Sequence, residues 1–254
     1  MSPVGTVTYN TDAREWLIDC EPHVSLRLKR VFGKVNSKSQ GTHHISDTPD
    51  NARDLEWFLQ RYPMTVIEPI RLQQSANAHR ERTALIQALL EGITPPQQFR
   101  LQLPPRDYQR LAATAFLQRG GLLLADDVGL GKTCSAITAL SDPRTRPAVV
   151  VTLTHLPRQW KAELARFAPW LNVHIAKTAS PNELHPQRPG QLSLLSAFPD
   201  VILINYHKLN GWAETLAKIC KSVIYDECQE LRKTDSAKYR AAHRTPRAPA
   251  QSAH

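Results

Sequence analysis

The residues in this sequence best suited to chemistry lie at positions 126–133, which read DDVGLGKT. Gly129 and Gly131 allow consecutive backbone N–H groups to turn inward on an anion. Lys132 provides a cation for the outer phosphates of a nucleotide, and Thr133 provides a hydroxyl for magnesium at the start of the next helix. The pattern predicts a loop that binds ATP with Mg²⁺. The expected nucleotide contacts within it are Asp127, Gly129, Leu130, Gly131, Lys132 and Thr133.

The loop departs from the strict phosphate-binding pattern at one position. That pattern requires a glycine five residues before Gly131, where this chain has Asp126. A chance Gly-Lys-Thr at the start of a helix is therefore an alternative interpretation. An apolar run, Leu122–Ala125, precedes the loop and a helical pattern follows it, and this context favours a phosphate loop.

A second acidic site follows the apolar run SVIY. Asp226 and Glu227 come directly after it. Asp226 and Thr133 are the predicted magnesium ligands, and Glu227 is predicted to orient and activate the attacking water, because phosphoryl transfer depends mainly on positioning and charge stabilisation. With Lys132, these two acids are the predicted catalytic residues. An Asp-Glu pair that ends a strand is also common as a solvated turn, but its place after a phosphate loop and three intervening strands favours the catalytic interpretation.

Tyr108 and Gln109 open the helix that precedes the loop. A glutamine side chain donates and accepts at once, so it can pair with the edge of adenine. Both residues are predicted to contact the nucleotide, although a Tyr-Gln pair alone is not diagnostic.

The elements that must position these residues alternate between strand and helix after Pro95-Pro96, which favours an α/β fold with a parallel sheet. Proline restricts its own backbone and that of its predecessor, so this pair is interpreted as a linker. The predicted strands are Leu122–Ala125, Ala148–Leu153, Val173–Ala176, Val201–Tyr206 and Ser222–Asp226. The predicted helices are Asp107–Gln118, Lys132–Leu140, Leu156–Phe167 and Trp212–Cys220, and residues 178–198 are predicted to be mostly loop.

Residues 1–95 are predicted to form a small α+β domain, in which we identify no catalytic or ligand-binding motif. Its predicted strands, Gly5–Tyr9, Trp16–Cys20 and Val24–Phe32, form a meander, and its predicted helices are Asp50–Tyr62 and Ala76–Glu91. The third strand is inferred from the alternation of Val24, Leu26 and Leu28 with polar residues. His43 and His44 are expected to be loop histidines. A metal-binding role is not expected for them, since no partner ligands have suitable spacing.

Charge and cysteine content limit the other classes of function. The net charge is +9, but residues 231–254 alone carry 6 basic and 1 acidic side chain, so charge supports DNA binding only weakly. The four cysteines form no CxxC pair, which indicates neither a zinc site nor a disulfide framework. No apolar run reaches the roughly 18 residues of a membrane span. No secretory signal pattern opens the chain, so a cytoplasmic or other intracellular location is expected, the nucleus included.

The order RDYQ, DDVGLGKT, VVVTLTHLPRQWKAEL, VILINYHKL and VIYDECQELR over residues 104–235 resembles the first lobe of the Swi/Snf-type helicase-related ATPases. In that family the loop usually reads DEMGLGKT, so Asp126 is itself a family trait. The resemblance implies a RecA-like lobe (residues 96–235) that binds ATP and moves along double-stranded DNA. It also implies that Thr152–Pro157 and Asn205–His207 contact the DNA backbone. For Trp160 and Tyr206 we favour a packing role, because aromatic side chains dominate cores.

Two features depart from the family pattern. Gln229 stands where the family normally has His, which puts the coupling of hydrolysis to movement in doubt. The Ser-Ala-Thr segment and the second lobe, whose arginines complete the ATP site, are missing. Residues 236–254 instead form a basic tail rich in Ala, Pro, Arg and His, which we expect to be disordered. We therefore expect a truncated or frame-shifted product, or half of a split protein, with weak or no hydrolysis as an isolated lobe.

Two other functions remain open at this point. One is a non-catalytic module that binds nucleic acid or a partner chain supplying the second lobe. The other is a metabolic kinase or related phosphotransferase, which the loop permits but the four accompanying motifs disfavour.

Overall fold

A computed structural model describes residues 3–33, 41–127, 129–181 and 198–245. The chain forms two compact units that divide between Ala88 and Leu89. The sequence places this boundary near residue 95, and the domain limits of 1–95, 96–235 and 236–254 stay a prediction. No helix within the described ranges has the length and apolar character needed to cross a membrane.

The first unit contains a mixed four-stranded sheet in the order β3-β2-β1-β4, in which β1 pairs antiparallel with β2 and parallel with β4. Its core is built from buried apolar side chains of the sheet and helices, with Trp16, Leu55 and Phe58 at its centre. In chain order its elements are β1 (Gly5–Asn10), β2 (Glu15–Cys20), α1 (Pro22–Val31), β3 (His43–Ser46), α2 (Pro49–Arg61), β4 (Thr65–Val66) and α3 (Pro69–Leu90).

The predicted strand Val24–Phe32 is wrong, because all of these residues but the last belong to helix α1, which Phe32 follows. Pro22 lies in the first turn, where its missing N–H costs no hydrogen bond. Val24 and Leu28 are fully buried and lie one helical turn apart, whereas Leu26 is 64% exposed. Alternating apolar residues also contain the i, i+4 spacing of a helix, so the pattern could not separate the two structures.

The two histidines expected in a loop lie instead in strand β3. The His43 side chain is buried, and its Nε2 lies 2.7 Å from Ser25 Oγ. His44 is exposed and its Nδ1 lies 3.0 Å from the Glu15 carboxylate. The strand escaped prediction because its four residues, HHIS, hold a single large aliphatic side chain.

The second unit is an α/β layer structure around a parallel sheet in the order β6-β7-β5-β8, which confirms the predicted fold class. Buried side chains on both faces of the sheet pack against the helices. Its elements are α4 (Asp107–Arg119), α5 (Lys132–Leu140), β5 (Ala148–Thr152), α6 (Pro157–Phe167), β6 (Val173–Ile175), β7 (Val201–Asn205), α7 (Leu209–Ile219), β8 (Ser222–Tyr225) and α8 (Ala237–Arg244).

The register of this sheet brings the ends of three strands together. Thr152, the last residue of β5, pairs with Asn205, the last residue of β7, and Val151 pairs with Tyr225 at the end of β8. Because all three strands run in the same direction, the segments that follow them leave the sheet at one edge. Asp226 is the first residue beyond β8 at this edge.

Residues Leu122–Ala125 were predicted as a strand, but the structure assigns them no strand. Leu122 is 44% exposed and Leu123 is 77% exposed. A strand requires hydrogen bonds to a neighbour, and this run is paired with no strand among the described residues. Apolar composition alone therefore misled the prediction.

The expected disordered tail is wrong over residues 237–244, which form α8. Ser236 caps this helix by accepting a hydrogen bond from the backbone N–H of Tyr239, and Ala241 is fully buried. The Tyr225 hydroxyl donates to the carbonyl of Ala242, which fastens the helix to the end of β8. Residues 246–254 lie outside the described ranges, as does most of the predicted loop 178–198.

The helical assignment of α1 predicts unequal effects of two matched substitutions. Leu28→Ala should lower the free energy of unfolding by about 2–5 kcal/mol, because it removes a fully buried side chain. Leu26→Ala should change it by less than about 0.5 kcal/mol, because that side chain faces solvent. Urea unfolding of both variants measures the difference. Equal losses would contradict the helix.

Candidate active site

The loop at residues 126–133 contains two glycines with positive φ angles. Gly129 and Gly131 have φ angles of 91° and 75°, in the left-handed region that favours glycine. Helix α5 begins directly after Gly131, so its first residues, Lys132 and Thr133, lie at the positive end of the helix dipole. Val128 lies outside the described residues.

The Lys132 ammonium lies folded over this loop. Its Nζ donates to the carbonyl oxygen of Asp126 at 2.9 Å and to that of Asp127 at 3.1 Å. Asp127 therefore contacts the lysine through its backbone. These neutral carbonyl oxygens occupy the directions in which an ammonium donates. Phosphate oxygens could replace them with stronger bonds, because both partners would then carry a charge.

Tyr108 and Gln109 brace the loop from α4. The Tyr108 hydroxyl donates to the carbonyl of Leu130 at 2.8 Å, and Gln109 Nε2 donates to the same carbonyl at 3.4 Å. Gln109 Oε1 accepts from the backbone N–H of Arg106 at 2.9 Å. Gln109 is buried, so both ends of its amide connect the start of α4 to the phosphate loop.

Gly131 is required here for a second reason. A Cβ atom built at this position would lie 2.8 Å from Gln109 Nε2, closer than such contacts occur. A side chain at position 131 would therefore displace the Gln109 amide and would also strain the backbone of the loop.

Asp226 is held at three points by other elements of the sheet layer. Its backbone N–H donates to the carbonyl of Val151 at 2.9 Å, and its own carbonyl accepts from the Tyr206 hydroxyl at 2.8 Å. Its Oδ2 accepts from Trp160 Nε1 at 2.8 Å. Burial raises the pKa of Tyr206, so its hydroxyl stays protonated and remains a donor.

Glu227 adopts a backbone conformation that is rare for its residue type. Its φ is 54° and its ψ is 51°, in the left-handed region. This region is unfavourable for residues other than glycine, because the Cβ atom lies too close to the backbone. Strained backbones of this kind cluster at functional sites. The exposed Glu227 carboxylate also accepts a hydrogen bond from Gln229 Nε2, so the residue that replaces the family's histidine contacts the predicted base directly.

One cavity of about 340 Å³ joins these groups. Lys132, Thr133, Asp226 and Glu227 all line it, so the structure brings together the residues predicted to act on phosphate, metal and water. Ser135 also lines it, and its buried hydroxyl has no hydrogen-bond partner among the described residues. The cavity therefore combines an unsatisfied buried hydroxyl with a cation and two carboxylates, which fits a polar anionic ligand and its metal. No cluster of three metal-binding side chains occurs within the described ranges, and magnesium bound to a nucleotide needs only one or two protein ligands.

The two segments expected to contact DNA leave the sheet at the edge that carries Asp226, but much of each is buried. Thr152 and Tyr206 are 0% and 2% exposed, and Asn205 is 8% exposed. The exposed residues of the two segments are Thr154, His155 and His207. The expected packing role of Tyr206 and Trp160 is confirmed by their burial.

Sequence reasoning missed the further contacts of these two aromatic residues. Trp160 lies 66 positions before Asp226 and Tyr206 lies 20 positions before it. No local pattern encodes such pairs. The one available signal is chemical, because a buried indole N–H or phenol requires a hydrogen-bond acceptor.

Comparison with protein families decides the relationship. A model described as the SNF2-related domain matches residues 9–246. The chain belongs to this family of helicase-related ATPases. The match begins within the first unit, whereas the sequence motifs cover only residues 104–235.

Individual relatives agree with the family assignment. The chain is 31% identical over 240 residues to a protein of Xenopus laevis and 25% identical over 236 residues to one of Bos taurus, both named SWI/SNF-related matrix-associated actin-dependent regulator of chromatin subfamily A-like protein 1. These alignments cover 94% and 92% of this chain. They cover 21% of each relative, so the chain spans about a fifth of the length of these curated relatives.

A bacterial relative and a solved structure are also similar. The putative ATP-dependent helicase/translocase YwqA of Bacillus subtilis is 23% identical over 244 residues, which cover 89% of this chain and 25% of the relative. The Sulfolobus solfataricus SWI2/SNF2 ATPase core in complex with dsDNA matches with a TM-score of 0.48 and 24% identity, covering 60% of this chain and 32% of that one.

The position of Cys228 in the cavity lining provides a test of the site. Cys228 is exposed, whereas burial raises the pKa of Cys220 to about 12 and also raises that of the buried Cys134. Cys20 is half-buried and its pKa is raised in the same way. A thiol reagent should therefore modify Cys228 first, and a nucleotide bound with Mg²⁺ in the cavity should slow that reaction several-fold.

Mass spectrometry of labelled peptides measures this rate with and without MgATP. Cys228→Ser is the control and should abolish the fast reaction. A Cys228 labelling rate that saturating MgATP leaves unchanged would contradict nucleotide binding in this cavity.

Proposed function

We propose that this chain is the ATP-binding lobe of a DNA-dependent ATPase that acts on double-stranded DNA. The observation that carries the proposal is that Lys132 lies over a glycine loop at the start of α5, facing the same cavity as Asp226 and Glu227. Membership in the SNF2-related family supports it.

In this proposal the loop binds the phosphates of ATP. The N-terminal backbone N–H groups of α5 point toward the anion, and Gly129 and Gly131 permit its close approach. Lys132 exchanges the carbonyls of Asp126 and Asp127 for phosphate oxygens. The Tyr108 hydroxyl, which donates to the carbonyl of Leu130 at 2.8 Å, keeps the loop in place during this exchange.

The metal side of the site consists of Thr133 and Asp226. Mg²⁺, when bound, neutralises negative charge on the phosphate oxygens. The Thr133 hydroxyl and the Asp226 carboxylate would hold it, and both line the cavity. Glu227 orients the attacking water and accepts its proton. Gln229 already donates to the Glu227 carboxylate, so that contact competes with the water for the same group.

Tyr108 and Gln109 are proposed to lie beside the adenine. Both amide ends of Gln109 are engaged with backbone groups, so adenine pairing would require it to release Arg106 or Leu130. Such a release would connect recognition of the base to the phosphate loop.

Hydrolysis by this lobe alone should be slow. The transition state of phosphoryl transfer is stabilised by an arginine in comparable systems, where it contributes about three to five orders of magnitude in rate. We propose that a second lobe, whether on a longer form of the chain or on a partner, supplies that charge, and that duplex DNA contacts the strand edge at Thr154, His155 and His207. We propose an intracellular location, which the names of the relatives, a regulator of chromatin and a DNA repair and recombination protein, support.

Replacing Lys132 with alanine tests ATP binding. The Lys132→Ala variant should bind MgATP about 10- to 100-fold more weakly, because it loses a hydrogen bond between charged groups. Lys218→Ala is the matched control, since Lys218 is exposed in the last turn of α7, at the opposite edge of the sheet. Calorimetry measures both affinities, and equal binding by Lys132→Ala and wild type would exclude this loop as the site.

Glu227→Gln separates binding from hydrolysis. This variant should bind MgATP as wild type does, and its turnover should fall by about two to four orders of magnitude because the general base is lost. Phosphate release is measured with and without duplex DNA. Turnover by Glu227→Gln at the wild-type rate would contradict the assigned base. Binding of ATP without turnover in the folded wild type, at any DNA concentration, would favour the non-catalytic module.

A further inference from the structure

Trp160 differs from an ordinary core tryptophan in its hydrogen-bond acceptor. It belongs to α6, and its side chain is 4% exposed and packs in the core with Leu164 and Val150. Its Nε1 donates to the Asp226 carboxylate, an ionisable group that lines the cavity. Trp212, which is fully buried in the same unit, donates instead to the backbone carbonyl of Thr178 at 3.1 Å.

The other contacts of Asp226 leave its side chain free to rotate. Val151 and Tyr206 hold its backbone N–H and carbonyl, which fixes the Cα position but not the carboxylate. The Trp160 bond engages Oδ2 at 2.8 Å and so fixes the plane of the carboxylate. Oδ1 is then the oxygen that could bind a cation in the cavity, which Asp226 lines.

The indole ring is itself immobilised by the core around it. A hydrogen bond to a carboxylate is shorter and stronger than one to a neutral acceptor. Groups that orient a metal-binding side chain in this way commonly contribute 10- to 100-fold in metal affinity.

We infer that Trp160 is a positioning residue that orients the Asp226 carboxylate for Mg²⁺ in the nucleotide site. The inference rests on the proposed function, because it requires that Asp226 hold the cation of MgATP. It assigns to a buried aromatic residue a contribution to metal binding that is separate from packing.

Trp160→Phe removes the indole N–H and keeps an aromatic ring in the core. The measured quantity is the ratio of ATP affinity in Mg²⁺ to ATP affinity in EDTA, obtained by calorimetry on the full chain. In Trp160→Phe this ratio should fall about tenfold or more, while the affinity in EDTA stays at the wild-type value because the phosphate loop is intact. Trp212→Phe, which loses a comparable buried indole bond away from the cavity, should keep the wild-type ratio.

The outcomes distinguish this inference from the function on which it rests. No ATP binding by the folded wild type would overturn the proposed function and this inference together. This inference alone would be overturned by a different result. In that case the wild type binds ATP more tightly with Mg²⁺ than in EDTA, and Trp160→Phe shows the same ratio of the two affinities. Equal losses in Mg²⁺ and in EDTA would also overturn it, because they would indicate a packing role only.

Two further measurements test the inference beyond the Trp160→Phe variant alone. In an Asp226→Asn background, Trp160→Phe should cause no additional loss of the Mg²⁺-dependent affinity, and a further tenfold loss would contradict the proposed route through Asp226. If Trp160→Phe does not fold, the indole N–H resonances of the wild type decide. That of Trp160 should shift when Mg²⁺ is added to the ADP complex and that of Trp212 should not, and an unmoved Trp160 signal would overturn the inference.

Discussion

The parallel pairing of β5 with β7 and β8 is the constraint on which the site depends. It places Thr152, Asn205 and Tyr225 at one edge of the sheet, so that the segments after them meet. Asp226 extends this pattern by one residue, since its N–H still bonds to Val151. A slip of one residue in this register would turn the side chains of β8 to the opposite face and remove Asp226 from the cavity.

The glycine loop at residues 126–133 is held by hydrogen bonds to its own carbonyl oxygens. Lys132 is held by two carbonyls of the loop, and Gln109 and Tyr108 hold the carbonyl of Leu130. These are neutral acceptors, so a phosphate can displace them from the ammonium. The glycine at 131 serves both the backbone turn and the side chain of Gln109.

Features with local chemical signals could be predicted from the sequence, and features that depend on distant partners could not. The loop at 126–133, the start of α5 and the strand before Asp226 were predictable because glycine spacing and apolar runs are local. Helix α1 was not predictable, because its alternating apolar residues fit both the period of a strand and that of a helix. The exposure of Leu26 in the structure distinguishes the helix from a strand. The run at 122–125 lacks the paired neighbour that a strand requires. The bond from Trp160 to Asp226 spans 66 positions and leaves no mark in either segment.

We propose that this loop binds the phosphates of ATP by transferring Lys132 from its own carbonyls to the nucleotide. A crystal structure of the chain with Mg²⁺ and a non-hydrolysable ATP analogue would show whether this transfer occurs. Lys132 Nζ should leave Asp126 and Asp127 for phosphate oxygens, with the cation between Thr133 and Asp226. A nucleotide bound elsewhere, or a Lys132 that keeps both carbonyl contacts beside a bound nucleotide, would contradict it.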